Sequence, residues 1–198
     1  MNAATYGNWQ KYQNQNPLQK RLIGRFLVAV KAILAPLAVH TVLDVGCAEG
    51  FVLNALRQAR PDLAVAGLDL DVAALGRGRQ LFPGVPFAQA SIFHVPCYPA
   101  AFDLVLCTEV LEHLADPAAG LQELCRVSRR YCLLSVPHEP YFRLGSLLRG
   151  KNVSRLGNDP EHLQNWSQGS FVRFLASHVS VVTLRRSFPW LIVLAEVG

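Results

Sequence analysis

Residues 41–52 read TVLDVGCAEGFV, an apolar strand that runs into a turn of small residues and on into a helical pattern. Small residues let the backbone at a strand end approach a nucleotide-like ligand closely. A dinucleotide fingerprint, G-x-G-x-x-G, would fall on Gly46, Ala48 and Phe51, and its last place needs a small residue for close helix packing. Phe51 puts an aromatic ring there. The shorter spacing G-x-G-x-G falls on Gly46, Ala48 and Gly50, which suits a ligand lying across the strand end with no pyrophosphate at the helix N-terminus. A phosphate-binding P-loop is excluded, because Gly-Lys-Ser/Thr is missing. Ala48 departs from glycine by one methyl group, which is tolerable if its φ is negative.

Outward from this loop the pattern is regular. Strand-like runs TVLDVG, LAVAGLDL, VPFAQA, FDLVLC and YCLLSV are separated by helical patterns, among them 50–60, 71–81 and 116–129. Such alternation implies parallel crossovers and an α/β sheet covered on both faces. SFVRFLAS provides a later helix, and VSVVTLRRSFPWLIVLAEV reads as two strands around a short Ser-Phe-Pro turn. In open α/β sheets, ligands bind beyond the carboxyl ends of the strands. Those ends carry Asp44 with Gly46, Asp69, Ser91, Thr108 with Glu109, and Pro137 with His138. Asp69 can accept hydrogen bonds from both hydroxyls of a ribose. Asp71 reads as the N-cap of the helix that follows.

Residues 1–40 form an N-terminal unit. Its first sixteen residues, rich in Asn, Gln, Tyr and Trp, suggest a partly extended arm whose Tyr6, Trp9 and Tyr12 either close over the pocket or anchor the terminus. Residues 18–35 place Leu22, Phe26 and Val30 at helical spacing, with Lys20, Arg21, Arg25 and Lys31 mostly opposite, which predicts an amphipathic cap helix. Residues 41–198 form the main domain, and the irregular stretch 137–168 interrupts its alternation as a lid insertion does.

With 51% hydrophobic and 17% charged residues the chain is not disordered. Its net charge of +5 permits weak attraction to anionic substrates or membrane surfaces. Dense basic runs are missing, so no nucleic acid is expected as partner. The apolar region LIGRFLVAVKAILAPLAV is interrupted by Arg25, Lys31 and Pro36 and is a poor transmembrane span. Five cysteines without a CxxC pair read as free thiols of a reducing compartment, and the first residues lack the apolar core of a signal peptide. A cytoplasmic protein is expected.

VLDVGCAEG, GLDLD and FDLVLCTEVLEHL resemble successive motifs of class I S-adenosylmethionine-dependent methyltransferases, closely over residues 41–136. The terminal strand pair is similar to that family's Rossmann-like, mostly parallel seven-stranded sheet with its C-terminal antiparallel hairpin. The likeness is greatest to the small-molecule branch, which includes quinone-biosynthesis methyltransferases, and VPHEP and GNDPEHLQNWS resemble a narrower bacterial group. The resemblance implies S-adenosylmethionine as cofactor. It implies that Asp44, Gly46, Ala48 and Gly50 line the methionine portion, that Asp69 holds the ribose, and that Leu70 lies beside the adenine. Ser91 and Ile92 stand where the family usually has an acidic residue for the adenine amino group, and a serine lacks that charge assistance.

Thr108 and Glu109 are then expected near the methionine and the acceptor, with His113 beside them. Glu109 and His113 share a face if the segment is helical. They are conceivable metal ligands, but the sequence offers no evident third, and no metal is expected. His138 and His162 are the leading candidates for a base, Glu139, Tyr141, Glu161 and Trp166 accompany them in the insertion, and Arg143, Arg149 and Arg155 could meet an anionic acceptor. The expected activity is methyl transfer to a small-molecule acceptor, with O-methylation slightly favoured because imidazole bases suit hydroxyls. The rivals are RNA or protein methylation and a catalytically inactive, regulatory S-adenosylmethionine-binding module.

Overall fold

The computed structural model describes residues 8–139, 141 and 162–198. Chain order runs α1 (Asn8–Gln13), α2 (Pro17–Leu34), β1 (Thr41–Val45), α3 (Phe51–Ala59), β2 (Ala64–Asp69), α4 (Val72–Leu81), β3 (Phe87–Gln89) and β4 (Phe102–Thr108). It continues with α5 (Pro117–Val127), β5 (Ser128–Pro137), α6 (Gln168–Ala176), β6 (Ser180–Ser187) and β7 (Trp190–Glu196). The strands form one sheet of order β3-β2-β1-β4-β5-β7-β6. β7 is antiparallel to both β5 and β6, as the terminal hairpin predicts.

The apolar residues of each central strand divide between two cores. Val42, Leu104, Leu106, Leu133 and Ile192 face α2, α3 and α4. Leu43, Val105, Cys132, Leu134 and Val193 face α5 and α6. Both faces are covered, so the central strands are apolar on both faces over most of their length instead of alternating with polar residues.

Local chemistry sets the helix starts. The Asn16 side chain accepts from Leu18 N ahead of Pro17, and Asp71 caps α4 through Ala73 N and Ala74 N. Asp116 caps α5 ahead of Pro117, and Ser167 with Ser170 forms a reciprocal capping box on α6. The expectation of an extended arm fails over residues 8–13, which are helical. Tyr12 stacks on Phe51 at 4.4 Å and Trp9 lies 6.3 Å from it. A tertiary aromatic contact thus orders a segment too short to be helical alone.

The chain order reverses between β1 and β4, each of which sends its crossover to a different side. The crevice at this switch point is where open α/β sheets place ligands.

Candidate functional site

The first wall of the crevice is the loop after β1. Leu68 O accepts from both Gly46 N (2.7 Å) and Cys47 N (3.0 Å), and Gly50 N closes the turn onto Cys47 O at 2.8 Å. Gly46 and Gly50 have φ of 81° and 80°. A Cβ on Gly46 would lie 2.3 Å from Val110 Cγ2, and one on Gly50 2.6 Å from Phe87 Cζ. These two positions therefore require glycine. Ala48 does not meet the condition set for it by the sequence: its φ is +47°, in the left-handed region. The loop's hand is fixed by two consecutive N–H groups drawn to one carbonyl, so Ala48 is held there at a cost of about 1–2 kcal/mol.

Asp69 ends β2 and braces this loop. Its Oδ2 accepts from Ala48 N at 2.7 Å and its Oδ1 from Asp71 N at 2.9 Å. A carboxylate has roughly four lone-pair sites, so both oxygens retain capacity for the hydroxyls of a ribose. Leu70 follows, 62% exposed beside the crevice, an apolar surface suited to a purine face.

Ala90 N donates to Asp69 O at 3.1 Å, which brings the end of β3 alongside. Ser91 Oγ accepts from Phe93 N at 3.2 Å, and Ile92 is buried beneath it. Thr108 is buried at the end of β4.

Asp44 is 1% exposed, and its Oδ1 is buried without a hydrogen-bond partner. Burial, with the Asp69 charge added, pushes its carboxyl up to about 8. An orphaned carboxylate oxygen at this place fits the cationic amino end that a methionine moiety would bring. The residues present therefore fit the cofactor implied by the resemblance.

The second wall is made of side chains from distant segments. Glu109, at the end of β4, has φ +58° and is ion-paired with Lys11 of α1. The Lys11 ammonium also lies 4.7 Å from the ring centroid of Trp190. Beside this pair is a cavity of about 280 Å³ lined by Leu22, Ile23, Tyr141, Phe188 and Trp190 among others. Tyr12 sits between the two walls: burial, then the charges of Glu109 and Asp44, push its hydroxyl pKa up.

The expected helical pairing of Glu109 with His113 is not formed. The positive φ at Glu109 breaks the backbone before a single 3-10 turn, Leu111–His113. Instead Glu112, His113 and His162 come together, each with a ligand atom within 4.8 Å of the others. His162 lies 5.1 Å from His113, ring to ring.

His138 belongs to another cluster. Its ring is 4.9 Å from Tyr141, on the cavity wall. Burial, then the nearby Arg186 charge, lowers its pKa, which favours the neutral imidazole. Tyr6, Arg143, Arg149, Arg155 and Glu161 lie outside the described residues, as does most of the expected lid.

Lys11 and the buried Glu49, which accepts from Arg77 Nη2 at 2.6 Å and Nε at 2.9 Å, are not among the site residues expected from the sequence. A charged residue inside a loop of small ones was the available signal for Glu49. For Lys11 there was none, because its partner lies far along the chain.

Residues 43–135 match the family model described as a methyltransferase domain. A ubiquinone biosynthesis O-methyltransferase of Paracidovorax citrulli is 39% identical over 100 residues, covering 48% of this chain and 41% of that protein. A probable S-adenosylmethionine-dependent methyltransferase of Mycobacterium tuberculosis is 36% identical over 96 residues, covering 48% of this chain and 34% of that protein. The matches thus span less than half the length of these relatives. Among solved structures, magnesium protoporphyrin IX methyltransferase from Synechocystis PCC 6803 superposes with a TM-score of 0.73 at 20% identity, over 96% of this chain and 92% of that one.

Proposed function

We propose that this chain, a member of the class I S-adenosylmethionine-dependent methyltransferases, transfers a methyl group to a hydroxyl oxygen of a small, largely apolar acceptor. The observation that carries this reading is the ion pair of Glu109 and Lys11 beside an apolar cavity at the end of β4. S-adenosylmethionine, when bound, supplies a methyl carbon already activated by its sulfonium. The chain's own residues bind, align and exclude water.

On the cofactor side, Asp44 meets the amino end and Asp69 the ribose, with Gly46, Ala48 and Gly50 keeping the backbone close. Leu70 and Ile92 flank the adenine, and Ser91 offers its amino group a neutral acceptor. Thr108 lies between the two halves.

On the acceptor side, Glu109 accepts the hydroxyl proton as the oxygen attacks, and Lys11 stabilises the negative charge that develops on that oxygen. Glu109 is the base in this reading, and His138, reaching the cavity through Tyr141, orients the acceptor. The proton leaves the hydroxyl for the Glu109 carboxylate; bound S-adenosylmethionine would supply the methyl group, its carbon–sulfur bond breaking as the carbon–oxygen bond forms and the electron pair staying on the sulfur of S-adenosylhomocysteine. Five free cysteines support a reducing compartment, and we place the reaction in the cytoplasm. Among the described residues, no helix is long and apolar enough to cross a membrane.

The test is methyl transfer from labelled S-adenosylmethionine to a panel of alkyl-substituted phenols, with the matching anilines and thiols beside them. Label in a methyl ether is expected, and it should be lost when the hydroxyl is already capped. Cofactor binding by folded protein with label appearing only in amines, or in no acceptor of the panel, would rule this reading out.

A further inference from the structure

The 3-10 turn after β4 carries a feature that methyl transfer does not require. Its Glu112 is 1% exposed, and neither carboxylate oxygen has a hydrogen-bond partner. Burying a carboxylate without compensation is expensive, and buried charges are as a rule paired or bound to metal. The carboxylate shares its place with two imidazoles, those of His113 and His162, all ligand atoms lying within 4.8 Å of one another.

An ion central to a triangle of that size stands no more than about 2.8 Å from each ligand atom, against about 2.1 Å for a zinc–imidazole bond. A shift of well under an ångström per side chain therefore closes the site. His162 is also fixed by its neighbours. Glu112 O accepts from Leu163 N at 2.8 Å and Gln164 N at 2.9 Å, and Gln164 Nε2 donates to Leu114 O at 3.0 Å. These three bonds clamp the segment that brings His162 onto the turn that brings Glu112 and His113.

We propose that Glu112, His113 and His162 form a binding site for a first-row divalent cation. Two imidazoles and one carboxylate select ions such as zinc or cobalt over magnesium or calcium, which prefer all-oxygen sites. Three protein ligands leave a further position open. Glu109 and Lys11 both act electrostatically on Glu112, so the site adjoins the acceptor cavity lined by that pair. Lys11 is paired with Glu109, and Glu112 is the carboxylate that lies with the two imidazoles.

The site stands independently of the methyl-transfer reading, because binding is measured without cofactor or acceptor. Chelator-treated full-length protein is titrated calorimetrically with zinc chloride, and separately with cobalt and magnesium chlorides. One saturable site per chain is expected for zinc and cobalt, with magnesium much weaker.

His162→Gln and Glu112→Gln should each weaken zinc binding at least tenfold. His178→Gln, at an exposed imidazole bonded to Phe174 O, should leave it unchanged. Thermal unfolding of His162→Gln should match wild type in the absence of metal, so that a loss of binding is not a loss of fold. The proposal fails if zinc shows no saturable binding below roughly millimolar concentration. It also fails if His162→Gln and His113→Gln bind zinc as the wild type does.

Discussion

The loop after β1 and the cavity beside β4 lie at the same edge of the sheet but are built in opposite ways. The loop is made of its own backbone: Gly46 N, Cys47 N and Ala48 N are all held by the end of β2, at Leu68 O and Asp69 Oδ2. The cavity is made of side chains that meet only in the folded molecule, with Lys11 from α1, Glu109 from β4 and Trp190 from β7. A backbone-built wall is determined by a few contiguous residues and tolerates little change. A side-chain wall can be retuned for a different acceptor without disturbing its neighbour. In the proposed reading, the physical division is a rigid cofactor half and an exchangeable acceptor half.

The largest expected effect separates the halves directly. Glu109→Gln should reduce kcat about a hundredfold or more by removing the proton acceptor, while calorimetric affinity for S-adenosylhomocysteine stays within about twofold of wild type. Equal losses in both would show that the two walls are one unit. Asp69→Ala should do the reverse, weakening cofactor binding about a hundredfold as the ribose loses its charged acceptor. Unchanged affinity in that variant would remove Asp69 from the site.

Asp44 gives a smaller, pH-dependent effect. Its carboxyl pKa rises from 3.8 to about 8 on folding, so the folded state keeps a proton that the unfolded state loses. Protein without cofactor should therefore lose stability as pH rises from 4 towards 8. A cationic amino group favours the carboxylate, so cofactor binding near pH 6 should release a proton. Calorimetry in two buffers of different ionisation enthalpy would detect it. In Asp44→Asn that release should vanish and affinity should fall about tenfold.

The smallest effect concerns the strained loop residue. Ala48→Gly should raise stability by about 1 kcal/mol, read as an increase in Tm, because a left-handed φ suits glycine. Cofactor affinity should stay the same or tighten modestly, and a marked loss would mean that the Ala48 methyl group itself contacts the ligand.

What was legible in the sequence follows the same division. The alternation of apolar strands and helical patterns gave the sheet and its terminal hairpin, because both periods are local. The positions of Gly46, Gly50 and Asp69 at the strand ends were legible for the same reason. The sign of φ at Ala48 was not, since it depends on how Leu68 O, on another strand, captures two amides of the loop. Glu109 was a candidate, but its partner was misjudged: a backbone break at Glu109 leaves His113 to Glu112 and His162, and gives Glu109 to Lys11. No periodicity reports a pairing between residues 11 and 109.

Helix α1 has six residues and fully buries none of them. A segment that short does not hold its shape unaided, so its docking depends on the stacking of Tyr12 on Phe51 and the pairing of Lys11 with Glu109. It therefore behaves less like masonry than like a latch, adding only Tyr12 to the edge of one core while carrying a charge that the proposed acceptor side uses. Protein shortened to begin at Asn16 would keep the cap of α2 and both layers of the sandwich, and should melt close to the intact chain. It should nevertheless turn over poorly, because the latch, not the scaffold, would be missing.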